Sequence, residues 1–423
     1  MTLKDIFSSL HSRNYRLYFT GQGISMIGTW MQNIALSWLV YRLTGSVFLL
    51  GLVGFTNQIP TFILSTFTGV LTDRYNRLRI MILAQVAFMI QAFVMAGLVL
   101  FNMIEVWHIV VLSILAGVIS AFDAPARQSL VVDLIDKKED LGNAIALNSA
   151  IFNGARLVGP AIAGITIAAV GEGICFLFNA LSFVAVIIAL MMIRIPYKTP
   201  VVIADKFIKS MKNGINYTFQ SMPIRTMILL LAILSLAGFP FIVLLPAYAK
   251  EVLGEGAGTL GFLMSALGGG ALTGAIYMAA RKSVLGLGKI ISINTFLLGI
   301  TIVLSSFSTN TTFSLFVLFA GGLSMILTLA GVNTLLQTIA EEEMRGRVMS
   351  FYAMALMGTH PIGSLIAGSI ASGIGIPYTL LIGGIITVCA GIWFEVRRKS
   401  MRKYIRPIYI SKGILPGLPD DLT

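Results

Sequence analysis

The sequence predicts an all-α integral membrane protein of twelve transmembrane helices, arranged as two pseudo-symmetric six-helix bundles. Composition, apolar runs and the placement of cations carry this prediction. Of 423 residues, 57% are hydrophobic and 11% charged, whereas about a quarter of a soluble domain is charged. Mean hydropathy is +0.89. The apolar runs approach the roughly 20 residues needed to cross hydrocarbon, and they lack the alternation of a membrane β-barrel.

In chain order the expected spans are Leu17 to Tyr41, Val47 to Leu71, Ile80 to Phe101, Val106 to Ala126, Ala144 to Val170 and Ile174 to Ile195. The second six are Thr226 to Ala249, Leu260 to Ala280, Lys289 to Ser308, Phe313 to Thr338, Val348 to Ser372 and Tyr378 to Val396. With these boundaries, every Lys and Arg except Arg42, Lys250 and Arg156 falls on the side of the termini. A miscounted span would scatter that pattern. Cations are retained on the cytoplasmic side, so both termini are expected to be cytoplasmic in a bacterial inner membrane. The formal net charge of +12 then reflects topology and anionic headgroups, with no call for nucleic acid.

The first span is too long for a signal-peptide core and is expected to be retained. Cys175 and Cys389 lie within apolar runs, predicting buried thiols and no disulfide or metal site. The longest polar segment divides the chain into a bundle over 1–193, a linker over 194–225, a second bundle over 226–400 and a tail over 401–423. Phe207, Met211, Ile215 and Phe219, four apart, predict an amphipathic surface helix in the linker.

The halves repeat. "LGNAIALNSAIFNGARLVGPAIAG" and "RGRVMSFYAMALMGTHPIGSLIAG" align at an offset of 204 residues. Gly154, Gly159 and Gly164 fall on Gly358, Gly363 and Gly368, positions where small residues let helices approach closely. Pro160 removes a backbone donor and permits a bend.

The loop "GVLTDRYNRLR" resembles the signature of the major facilitator superfamily through Gly69, Asp73, Arg74, Arg77 and Arg79. Asn76 replaces the family's second glycine, a substitution a left-handed backbone would tolerate. The resemblance implies the major facilitator fold and an inner latch. Asp73 would face backbone N–H groups near Gly346 to Val348, and Arg77 would face Asp123 first or Asp133 second. "ARLVGPAIAG" is similar to the motif of exporting and antiporting members. "SRNYRLYFTGQGISMIGTWMQNIALSWLVYRLTGS", "AFDAPARQSLVVDLI" and "RGRVMS" resemble the transmembrane secretion effectors, the group of the enterobactin exporter and macrolide-efflux proteins. That group implies export of an amphipathic small molecule by a monomer.

Charge inside a span is costly, so Arg156 is a candidate for binding an anionic or carbonyl-rich substrate group or for pairing with a coupling anion. His360, at the equivalent place in the repeat, is a candidate proton site. Either residue can alternatively lock helices together. Asp123 and Arg127 share a helix face for gating or for substrate and proton handling. Gln22, Gln32, Asn33, Asn57, Gln58 and Trp30 are pathway candidates, packing being the alternative for each. Trp38, Trp107 and Trp393 are candidate interface anchors, and Pro240 and Pro246 candidate bends. No Walker loop, metal cluster or nucleophile–base pair is visible, so no enzyme, cofactor or metal is expected. The expected function is proton-coupled secondary export. The rivals are a lipid or lysophospholipid translocator and a transport-inactive sensor.

Overall fold

The computed structural model describes residues 8–195, 215–281 and 283–416. Side chains of residues 66, 69, 70, 73, 74 and 138 are outside this description. After a short 3-10 turn at Ser8–His11, the first six helices are α1 (Arg13–Thr44), α2 (Val47–Arg74), α3 (Arg77–Leu100), α4 (Val106–Asp133), α5 (Leu141–Val170) and α6 (Glu172–Met191). The second six are α7 (Met222–Val252), α8 (Ala257–Ala280), α9 (Leu287–Phe307), α10 (Thr311–Ile339), α11 (Glu342–Ile374) and α12 (Ile376–Ser411).

Eleven of these are long and apolar enough to cross a membrane. The exception is α1, whose apolar character is diluted by Gln22, Gln32, Asn33 and Arg42. Several helices outrun their apolar stretches. In α12 the helix continues through Arg402 to Ser411, residues expected to form a tail.

The helix contacts repeat from half to half. In the first, α1 packs on α5 and α6, α3 on α4 and α6, and α2 on α4. In the second, α7 packs on α11 and α12, α9 on α10 and α12, and α8 on α10. The pairs α5–α8 and α2–α11 join the halves and are themselves symmetry-equivalent.

Glycines set both junctions. A β-carbon on Gly261 would lie 2.5 Å from Pro160 O and 2.8 Å from Gly164 Cα. One on Gly51 would lie 2.5 Å from Ser364 O and 3.2 Å from Gly368 Cα. The helices therefore meet backbone to backbone, a geometry that only hydrogen at Cα permits.

Both seams lie toward the end of the bundle remote from the termini, and the buried core follows them. One core unites the distal parts of α1 to α6 with the whole second half. A separate core, from Tyr15 and Met81 to Leu134 and Ile193, fills the termini end of the first half alone. The halves thus share packing at the distal end, while the first half keeps its own core at the other.

Cys175 is buried and Cys389 is exposed on the outer face of α12, both as free thiols. The expectation of two buried thiols is half corrected, because an apolar run on a peripheral helix has a lipid-facing side. Trp38 is likewise 9% exposed within the core, not at an interface. Trp107 is exposed at the distal end of α4 and donates to Glu105 Oε2 at 2.7 Å, as an interfacial anchor does.

Replacing Gly51 and Gly261 together by Leu is expected to cost about 1–3 kcal/mol of distal closure by overpacking. In a background lacking both native cysteines, Cys placed at Ala257 should then react about tenfold faster with a membrane-impermeant thiol reagent. Unchanged reactivity would contradict the seams.

Candidate functional site

Arg156 stands on α5 in the central zone, where α5 passes between α1 and α8. Pro160 has no N–H to offer Arg156 O, and that carbonyl rests against Gly268 of α8, where a β-carbon would approach to 2.6 Å. The guanidinium lies 5.8 Å from the centre of the Trp30 ring, a cation–π distance. Trp30 is held edge-on by Phe152 at 5.9 Å and backs onto Gly159. Among the described residues, Arg156 has no ion pair or hydrogen bond.

His360 occupies the equivalent place on α11, where that helix passes between α7 and α2. Its Nδ1 is buried with no partner among the described residues. The structure brings Arg156 and His360 to equivalent junctions, not into contact with each other.

The surroundings of His360 break the symmetry through backbone form. Residues Leu234–Gly238 of α7 and Met354–Gly358 of α11 are π-helical, and Ser235 Oγ donates to Leu356 O at 2.7 Å, linking the two. Pro240 has no N–H to offer Leu236 O, and Gly363 packs against that carbonyl. Such widened turns recur where helices carry function. A third, Tyr248–Val252, ends α7. The prolines signalled irregularity at α7, and Pro361 was the overlooked signal at α11.

Several expectations need correction. Asp123 Oδ1 accepts from Gln85 Nε2 at 2.8 Å and Oδ2 lies 3.5 Å from Arg127. Buried Asp123 thus joins Gln85 and the half-buried Arg127 within the first half, which leaves their gate role open but takes Asp123 away from Arg77. The first choice of partner for Arg77 is thereby overturned: Arg77 Nη1 bonds Asp133 Oδ2 at 2.9 Å. Asn76 is not left-handed. Its φ is −64°, and its side chain caps α3 by accepting from Arg79 N at 3.1 Å. Arg79 is exposed at that helix start. Helix α11 begins at Glu342, which places Gly346 to Val348 in its second turn and leaves the unbonded N–H groups farther back. The side chains of Asp73 and Arg74, the Gly69 position, and Phe207 and Met211 of the linker lie outside the described residues.

Gln32 is a strut between helices: its Nε2 donates to Gln91 Oε1 at 3.1 Å, and its Oε1 accepts from Asn179 Nδ2 at 2.7 Å. Gln22 is buried with Oε1 unpartnered, Asn33 is exposed, and Asn57 and Gln58 are half-buried. Gly154 faces open space, which removes it from the packing motif, whereas Gly358 meets the Phe62 ring.

Sequence reasoning missed the distal lock. Tyr41 Oη on α1 donates to Glu251 Oε1 on α7, across the two halves. Beside it Arg42 pairs with Glu172 at 2.6 Å.

A family model described as "Transmembrane secretion effector" matches residues 5–404. The chain belongs to this family. It is 26% identical to the staphyloferrin A transporter of Staphylococcus aureus over 92% of this chain and 97% of that one. It is 24% identical to macrolide efflux protein A of Streptococcus pyogenes, over 90% and 95% respectively. Among solved structures, a bacterial homologue of the iron transporter ferroportin in its inward-facing state aligns with TM-score 0.70 and 18% identity, covering 91% of this chain and 98% of that one. A bacterial homologue of the lysosomal transporter Spinster, inward-facing and unoccupied, aligns with TM-score 0.69 and 12% identity over 95% and 99%. The fold is that of the major facilitators, and this transmembrane secretion effector is a multi-pass membrane transporter, not an enzyme.

Replacing Gln32 by Leu should destabilise the protein by about 1–3 kcal/mol, because Gln91 and Asn179 lose buried partners. Thermal unfolding in detergent measures this, and apparent substrate affinity should stay within about twofold of wild type if Gln32 is a strut.

Proposed function

We propose that this transmembrane secretion effector is a secondary active exporter of a small amphipathic organic molecule, siderophore- or drug-like. It works as a monomer in the bacterial inner membrane, with both termini cytoplasmic, and couples export to protons by alternating access. The observation that carries the proposal is Arg156 beside Trp30 at the junction of the halves, with no ion pair or hydrogen bond among the described residues. A guanidinium in the membrane zone costs about 2.5–3.5 kcal/mol on insertion scales. A cargo with an anionic or carbonyl group over an apolar body would supply the missing partner, with Trp30 receiving the body.

The names of the two relatives support cargo of this size and character. His360, whose buried Nδ1 at the equivalent junction has no partner among the described residues, is proposed as the coupling site. Asp73, Arg74 and Gly69 remain proposed as part of the inner latch, with Arg77 held by Asp133 at its base.

The rocking step uses the fold directly. The halves share their core at the distal end, so cargo enters from the termini side. Cargo binding and His360 proton release then favour opening of the seams and of the Tyr41–Glu251 lock.

Inverted vesicles test the proposal with a panel of siderophores, macrolides and amphipathic cations, with and without a proton gradient. Arg156→Ala should raise the half-saturating concentration about 10–100-fold, the range for a lost charged hydrogen bond. His360→Gln should abolish the response to the gradient while leaving counterflow. Normal saturation in Arg156→Ala at wild-type protein levels would sink the cargo role. Persistent gradient dependence in His360→Gln would sink the coupling role.

A further inference from the structure

A cavity lies far from the central junction, at the termini end of the second half. It has a volume of about 460 Å³ and sits between the start of α9, the end of α10 and the extension of α12. Leu285, Leu287, Leu335, Met401, Ile405 and Leu415 give it an apolar floor. Lys289, Arg398, Arg402 and Arg406 stand around it.

Arg398, Arg402 and Arg406 are spaced four apart, so they stack along one face of α12. Like charges at this spacing destabilise a helix unless something compensates them. Arg398 is compensated by Glu395, through bonds of 2.8 and 2.6 Å. Lys289, Arg402 and Arg406 are exposed and have no ion pair or hydrogen bond among the described residues.

The backbone adds to the bias. Gly286, at φ +80°, turns the chain into the 21-residue α9, whose positive end opens here. Gly288 lets the Arg398 stem pass, since a β-carbon there would lie 3.3 Å from Arg398 Cδ. The α12 extension is meanwhile fixed in place. Met401 and Tyr409 are buried, and Lys412 Nζ bonds Thr338 O and Ala340 O at 2.7 and 3.1 Å, closing the end of α10.

We propose that this cavity is a binding site for an anionic phospholipid. The phosphate lies among Lys289, Arg402 and Arg406, and an acyl chain covers the apolar floor. A free anion would satisfy the cations and leave the floor bare. A zwitterionic lipid would fill the floor and bring its own positive charge against the arginines. Only a net-negative headgroup on an apolar chain matches both features. The lipid is a structural partner that braces the α12 extension against α9 and α10, and it is separate from any cargo at Arg156.

The test uses the full-length protein in detergent, stripped of lipid and titrated with dioleoyl phosphatidylglycerol or dioleoyl phosphatidylcholine under native mass spectrometry. Wild type should prefer phosphatidylglycerol at least about tenfold, because three cations unpaired among the described residues face its headgroup. Lys289→Gln/Arg402→Gln/Arg406→Gln should lose that preference. Arg16→Gln/Lys137→Gln/Arg194→Gln, which removes equal charge from the same end of the other half, should keep it.

Equal preference in the two triple variants would overturn the site, as would competition by millimolar inorganic phosphate as effective as by lipid. A phosphatidylglycerol bearing a photoreactive group beside its phosphate needs no variant. On wild type it should label residues 285–289 and 398–409, and labelling concentrated elsewhere would overturn the proposal even if the first variant fails to fold.

Discussion

Gly164 against Gly261 and Gly51 against Gly368 bring two helix pairs to backbone contact on either side of the pseudo-twofold axis. At that distance, dispersion and Cα–H···O contacts replace side-chain interdigitation. The surface is smooth and lacks the locked knobs of a packed core. A seam of this kind holds two bundles together without interdigitated side chains that would have to unlock for them to part. The shared distal core follows from it, and Arg156 stands about two turns inward from Gly164.

The same geometry explains why prolines and glycines face one another across helices. Pro160 frees the Arg156 carbonyl, which meets Gly268, from an i+4 donor, and Pro240 does the same for that of Leu236, which meets Gly363. Each freed acceptor needs a close, hydrogen-only neighbour inside a membrane. The two halves solve the problem differently. The first keeps continuous α-helices and places an arginine at the junction, while the second widens α7 and α11 into π turns around a histidine. That asymmetry gives one junction a permanent charge and the other a titratable group.

Much of the fold was legible in the sequence. Span number came from apolar runs checked against cation placement, and the repeated glycines at 159, 164, 363 and 368 foretold the close approaches. Other features were less readable. Partner choice for Arg77 depended on how far α4 extends, and the helix runs on to Asp133, bringing that acid within reach and leaving Asp123 to Gln85. Gln32 looked like a pathway residue because polarity in a span marks cost, yet polarity alone does not say which face it occupies. The Tyr41–Glu251 lock joins residues from different halves, a pairing no local pattern encodes. The π turns arise from tertiary packing, and only Pro240 and Pro361 hinted at them.

The central claim is that the two halves rock against each other, so that the distal glycine seams part as the termini end closes. Pulsed electron–electron resonance on spin-labelled pairs in nanodiscs measures it, using Lys137 with Glu342 at the termini end and Leu43 with Glu255 at the distal end. On adding transported cargo, the first distance should shorten while the second lengthens, in the same fraction of molecules. Two distances that stay fixed, or that change in the same direction, would contradict the account.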